Sequence, residues 1–293
     1  MINEQLPILK IDQFRHDPEN VDIYANKLSA HLKQHHFIHT PHKHDFYLTV
    51  LFTKGKGIHE VDFISYDVKP GSIFLLKPGQ THNWKLSKDI DGYVFFHSSG
   101  FYDLHFNSHK LNDYPFFSSF QNTPVLHIRK KKLKMIEGLI GSVLNEYKSE
   151  KLFWEQKMLL LIAEIYVEVS RLYVPYELSS GSQIYLAKFG EFQKLVDEKY
   201  KHLKSPKEYA AFLNITERHL NRICKTCMNK TSTNVITDRV VLEAKRLLVN
   251  TPYTISEIAA GLGYFDSSYF TRLFKMKCRE TPAVFRKRTK FGN

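Results

Sequence analysis

Arg222 and Arg272 occupy the same place in two copies of one pattern. Residues 207–225 read KEYAAFLNITERHLNRICK and residues 256–275 read SEIAAGLGYFDSSYFTRLFK. Ala210-Ala211 matches Ala259-Ala260, Leu213 matches Leu262, Leu220 matches Phe270 and Lys225 matches Lys275, with one extra residue in the second turn. A guanidinium fork and an ammonium at repeated positions suit a polyanion that also offers hydrogen-bonding edges.

Each copy has the parts of a helix-turn-helix. A short helix with small alanines is followed by a turn in which Asn214 or Gly263 can take a positive φ. Thr216 or Asp266 is then the expected N-cap of a second helix. That helix has an apolar side (Leu220, Ile223, Cys224; Phe270, Leu273, Phe274) and a cationic one. Such a helix can enter a major groove with its N-terminal residues facing base edges. Between the copies, TNVITDRVVLEAKRLLVNT carries an apolar stripe of Ile236, Val240, Leu247 and Leu248, which predicts a long joining helix. Two motifs held at a fixed separation can grip major-groove segments about 34 Å apart on one face of a duplex.

Charge agrees. Residues 184–293 contain 21 Lys and Arg against 10 Asp and Glu, so nearly all of the net +12 of the 293-residue chain lies there. Histidine is skewed the other way, with 13 of 15 before residue 128. The two parts are expected to do different work. The chain opens without a secretory signal. Its most apolar run, MLLLIAEIYVEV, is interrupted by Glu164 and Glu168 and too short to span a bilayer, so a cytoplasmic protein is expected. Three cysteines cannot complete a disulfide framework.

From Asp22 to about Phe101, segments such as FYLTVLFTKG, IHEVDFIS, GSIFLLKPG and GYVFFHSS predict short strands in a barrel or sandwich. Residues 101–127 read as irregular. Helical spacing then returns at Leu133, Ile136, Leu139, Ile140, Val143, Leu144 and Tyr147, and again at Trp154, Met158, Leu161, Ile162, Ile165 and Val169. These two amphipathic helices either cover the β domain or form a dimer interface, or one does each. Residues 174–183, VPYELSSGSQ, read as a linker.

The stretch IAAGLGYFDSSYFTRLFKMKCRETPAVFRK resembles the signature of AraC/XylS-type transcription regulators, through Ile258-Ala259, Leu262-Gly263-Tyr264, Ser268-Tyr269-Phe270, Arg272-Leu273-Phe274-Lys275, Thr281-Pro282 and Phe285-Arg286. The resemblance spans residues 185–288. Before it, HTPHKHDFYLTVLFTKGKG and YDVKPGSIFLLKPGQTHNW are similar in pattern to the family's cupin-like sensor domain. By motif position the resemblance implies base contacts from Arg218, Asn221, Arg222, Ser267, Ser268, Thr271 and Arg272. It implies phosphate contacts from Lys225, Lys275, Arg286, Lys287 and Arg288. Ser232 departs from the family by standing where proline is usual, and Cys224 and Cys278 stand where apolar or aromatic residues are usual.

His42, His44, Tyr47, His82 and Trp84 are the expected effector-pocket residues. Catalytic cupins add a glutamate to such histidines, whereas Leu48 and Thr49 stand in its place here. Three histidines alone could hold a metal with an open position. That gives the competing reading, a metal-dependent cupin enzyme fused to a DNA-binding module. Cys224-x-x-Cys227 has no second pair, and Cys224 falls on the apolar side of its helix, which argues against zinc. No P-loop, Gly-x-Ser-x-Gly or His-Glu-x-x-His motif occurs.

The fold expected is α+β with two domains. Residues 1–127 form an effector-sensing β-barrel, 128–173 helices suited to dimerisation, 174–183 a linker and 184–293 an all-α DNA-binding domain. The partners expected are double-stranded DNA, a small effector and a second copy of the chain, with RNA polymerase as a candidate. No membrane, metal, cofactor or catalytic step is expected.

Overall fold

The computed structural model describes residues 7–14, 22–103, 111–117, 123–149, 151–173 and 180–291. The chain divides into two compact units, the first ending at Tyr176 and the second beginning at Glu177.

The first unit contains β1 (Ile8–Leu9), β2 (Ile23–Lys27), α1 (Leu28–Gln34), β3 (Lys43–His44), β4 (Tyr47–Lys54), β5 (Gly57–Val61), β6 (Ile64–Val68), β7 (Ser72–Leu76), β8 (His82–Leu86), β9 (Asp91–His97), α2 (Ser99–Asp103), β10 (Val125–His127), α3 (Lys130–Ser149) and α4 (Trp154–Tyr173). Five strands pair antiparallel in the order β10-β7-β4-β9-β2, and three in the order β6-β5-β8. Beside them, β1 and β3 form a parallel pair. The expected closed barrel is not formed among the described residues. The β4–β9 register shifts between Phe52 and Lys54, and the chain then turns at Gly55 (φ +85°) into the smaller sheet. An isolated His42–His82 bridge joins β8 to the chain ahead of β3.

Strand parity explains the long apolar run in β4. Leu48, Val50 and Phe52 join Phe74, Leu76, Val94 and Phe96 in a core shared with Val61 and Val68 of the smaller sheet. Tyr47 and Leu51 face the other way, into a second core closed by α3 and α4. That core takes Ile136, Ile140, Val143 and Leu144 from α3 and Met158, Ile162, Ile165, Tyr166 and Val169 from α4. Both helices therefore cover the β-sheet. The outer side of α4 still exposes Leu160 and Val167 at i, i+7. Within 101–127, β10 adds an edge strand where irregular chain was expected.

The second unit is helical: α5 (Ser180–Lys199), α6 (Pro206–Phe212), α7 (Glu217–Met228), α8 (Ser232–Asn250), α9 (Ile255–Gly261), α10 (Ser267–Cys278) and α11 (Pro282–Phe291). The expected linker at 174–183 lies partly outside the described residues, and its last four residues open α5.

Candidate nucleic-acid interface

The repeat is structural. Ser205 and Thr254 each form a capping box, with Glu208 and Glu257, at the start of α6 and α9. Asn214 (φ +52°) and Gly263 (φ +79°) take the left-handed turn. A Cβ at Gly263 would lie 1.9 Å from the Lys201 carbonyl oxygen, so this site needs glycine for space as well as for φ. Ile215 N–H donates to Ala210 O at 3.0 Å, and Tyr264 N–H donates to Ala259 O at 2.9 Å. Thr216 caps α7 by accepting from His219 N–H at 3.1 Å, and Asp266 caps α10 by accepting from Ser268 N–H at 2.8 Å. Both helices end at a left-handed residue, Asn229 or Arg279.

One face of each helix is core. Leu220, Ile223 and Cys224 are buried in α7, and Phe270 and Phe274 in α10, with Leu273 half-buried. Burial pushes the Cys224 thiol up to about 12, and all three cysteines are free. Of each alanine pair only Ala210 and Ala259 are buried; their neighbours are exposed.

The opposite faces expose Arg218, Arg222 and Lys225 on α7, and Ser268, Arg272 and Lys275 on α10. Arg222 donates to His219 Nδ1 at 3.3 Å and lies 5.6 Å from the Tyr185 ring centroid. Arg272 stands 3.9 Å from Asp266 with its side chain largely in solvent. Ser267 and Thr271 are half-buried, and the Thr271 hydroxyl donates to Ser267 O at 2.8 Å.

Three further expected contacts are engaged within the protein. Asn221 Oδ1 accepts from the Ser232 N–H at 2.9 Å and from its hydroxyl at 3.2 Å. Arg286 donates to Leu248 O at 2.9 Å and to Tyr253 O at 2.7 Å, tying α11 to the end of α8. Arg288 pairs with Glu280 at 2.8 Å. Lys287 is exposed.

Sequence reading missed the clamps on α8. Asp238 pairs with Lys230, just after α7, at 2.8 Å and with Lys277 of α10 at 2.9 Å. One carboxylate thus ties both motifs to the joining helix. Arg239 pairs with Asp197 of α5 at 2.6 Å and lies 4.0 Å from the Tyr200 ring centroid. Half-buried Lys204 donates to Lys201 O at 2.9 Å and sits 5.0 Å from the Tyr264 ring centroid; burial pushes its ammonium down to about 8.

In the first unit, His42, His44 and His82 come together, with ring centroids 4.4 and 5.1 Å from His82. His59, which was not expected, completes the group, its Nε2 lying 3.0 Å from His82 Nδ1. The alternation of β5 points His59 and Val61 inward and could have revealed it. Trp84 packs edge-on against His59 and His82. Tyr47 does not join them. It sits on the opposite face of the larger sheet, stacked on His97. Burial drives all four histidines below their ordinary pKa, His44 to about 3, and holds them neutral. Because His42 and His44 bond Thr40 O and Phe46 O through Nδ1, that nitrogen carries the proton and Nε2 is a bare acceptor in each. His44 Nε2, His82 Nε2, His59 Nδ1 and Trp84 Nε1 are buried without a hydrogen-bond partner. Among the described residues, no three His, Cys, Asp or Glu side chains are arranged to hold a metal ion. No described helix is long and apolar enough to cross a membrane.

Known families fall on the same two units. The AraC-like ligand binding domain matches residues 26–100, and a helix-turn-helix domain matches residues 209–288. The HTH-type transcriptional activator RhaR of Escherichia coli O139:H28 is 23% identical over 290 residues, covering 96% of each chain. The uncharacterized HTH-type transcriptional regulator YfiF of Bacillus subtilis is 22% identical, covering 95% of this chain and 88% of that protein. ToxT from Vibrio cholerae O395 is a solved structure at 13% identity and TM-score 0.42, covering 91% of this chain and 98% of that one. With a ligand-binding unit of AraC type ahead of two helix-turn-helix motifs on one joining helix, this chain belongs to the AraC family of transcriptional regulators.

Proposed function

We propose that α7 and α10 read two successive major-groove segments of one double-stranded site. Arg218, Arg222, Ser268 and Arg272 meet base edges, and Lys225, Lys275 and Lys287 meet phosphates. The supporting observation is the shared carboxylate of Asp238, which ties Lys230 and Lys277, one beside each recognition helix, to the joining helix. Asn221, Arg286 and Arg288 act by holding the motifs in shape, since Asn221 Oδ1 and the two guanidinium groups already have partners.

In the same reading, a small effector binds the N-terminal unit beside His42, His44, His59, His82 and Trp84. The unpaired nitrogens of His44, His59, His82 and Trp84 favour a ligand that brings both donors and acceptors: His44 Nε2 accepts, the Trp84 indole N–H donates, and one of the coupled His59 and His82 rings presents an N–H. It shifts the DNA-competent population by binding one state better than the other. The chain pairs with a second copy along the exposed Leu160 and Val167 of α4. It acts in the cytoplasm, without a catalytic step, on a promoter shared with RNA polymerase.

The test is a binding titration of the full chain on a site selected from random duplexes. Specific affinity falls by about 10³-fold or more between 50 and 200 mM salt if six or more phosphates are contacted. Failure to enrich any sequence overturns the reading.

A further inference from the structure

Phe265 is the extra residue in the second turn. Ile215 and Tyr264 make the same hydrogen bond to the preceding helix, to Ala210 O and Ala259 O. In the first motif the N-cap Thr216 follows at once. In the second, Phe265 stands between Tyr264 and the N-cap Asp266. Tyr264 turns inward against Phe270, with ring centroids 5.7 Å apart. Phe265 is thrown outward and is 107% exposed, the most exposed of the large apolar residues described.

Its position is informative. Ser268, Tyr269 and Arg272 lie three, four and seven residues further on, and all are exposed. Phe265 itself lies just outside α10, immediately before the N-cap Asp266, whose backbone is extended (φ −98°, ψ 105°). It is exposed at the N-terminal end of α10, the end of a recognition helix that meets base edges. A major groove presents one apolar feature, the C5-methyl group of thymine, and a phenylalanine ring is among the side chains that contact it.

We infer that Phe265 reads a thymine through its methyl group and so gives the second motif a base preference that the first lacks. The inference rests on the reading of α10 as a base-contacting helix.

The experiment uses the full chain and a pool of randomised duplexes. Sites are selected with the wild type, and each conserved thymine is then replaced by deoxyuridine, which removes only the methyl. At one thymine the wild type loses about threefold to tenfold in affinity, as burial of a single methyl allows. Phe265→Ser loses nothing at that position, and sites selected with it no longer favour thymine there. The ring is fully exposed, so an unchanged melting temperature accompanies the substitution. Equal responses of the two proteins at every thymine overturn the inference, including the case in which Phe265→Ser weakens all sites alike. An enriched site whose sequence is insensitive to Arg272→Ala would instead contradict the reading of α10 itself.

Discussion

Asn221 accepts two hydrogen bonds from Ser232, one from the main chain and one from the hydroxyl, across the turn that joins α7 to α8. The equivalent residues of the second motif are Thr271 and Pro282. Proline has no N–H to satisfy, and Thr271 turns back to Ser267 O instead. Each motif is thus consistent within itself. The serine that departs from the family is matched by an asparagine one helix earlier.

Asn221→Ala leaves the fully buried Ser232 with unpaired donors and costs about 1–3 kcal/mol of stability. Ser232 is the first residue of α8, a position that accepts proline. In a Ser232→Pro background the same substitution costs much less. Urea denaturation of the four proteins gives the coupling directly.

Arg286→Ala removes the donors to Leu248 O and Tyr253 O. A lower melting temperature is expected, with an unchanged slope of log affinity against log salt. Lys275→Ala behaves the other way, weakening all sequences about equally and reducing that slope by about 1. Arg272→Ala costs about 1–3 kcal/mol and relaxes one base position. The three outcomes separate a brace, a phosphate contact and a base contact in one set of titrations.

The first unit should lose stability in mild acid. His31 and His44 are pushed down to about 3 and His97 to about 4, all chiefly by burial. Below the ordinary value of 6.5 the unfolded chain binds protons that these buried rings refuse. Stability is therefore complete above about pH 6.5 and is lost as pH falls toward 4 and 3, at up to about 1.4 kcal/mol per pH unit for each ring. Denaturation midpoints at several pH values follow this, and His44→Asn, which can keep the bond to Phe46 O, flattens the slope.

Leu160→Asp on α4 alters a side chain that is 61% exposed, so the melting temperature of dilute protein is retained. Light scattering should show the wild type as the proposed dimer and this variant as a monomer.

Legibility in the sequence followed the range of the interaction. The turns and the caps of the second helices were readable because Asn214, Gly263, Thr216 and Asp266 act within a few residues of themselves. The two sides of α7 and α10 were readable because helical period alone sorts them. The family resemblance implied DNA contacts from Asn221 and Arg286. Their acceptor or donor partners lie 11, 33 and 38 residues away, and no local pattern points to them. Tyr47 was grouped with His42 and His44 by proximity in sequence, yet strand parity places it on the other face. Closure of a sheet into a barrel depends on long-range register, which the alternation of single strands does not carry.

The central claim is that two rigidly joined recognition helices grip two successive turns of duplex. A hydroxyl-radical footprint on a selected site measures it most directly. Two protected segments about 10 base pairs apart on one face are predicted, with Arg222→Ala and Arg272→Ala each weakening a different one. Protection of a single turn, or of no preferred location, would contradict it.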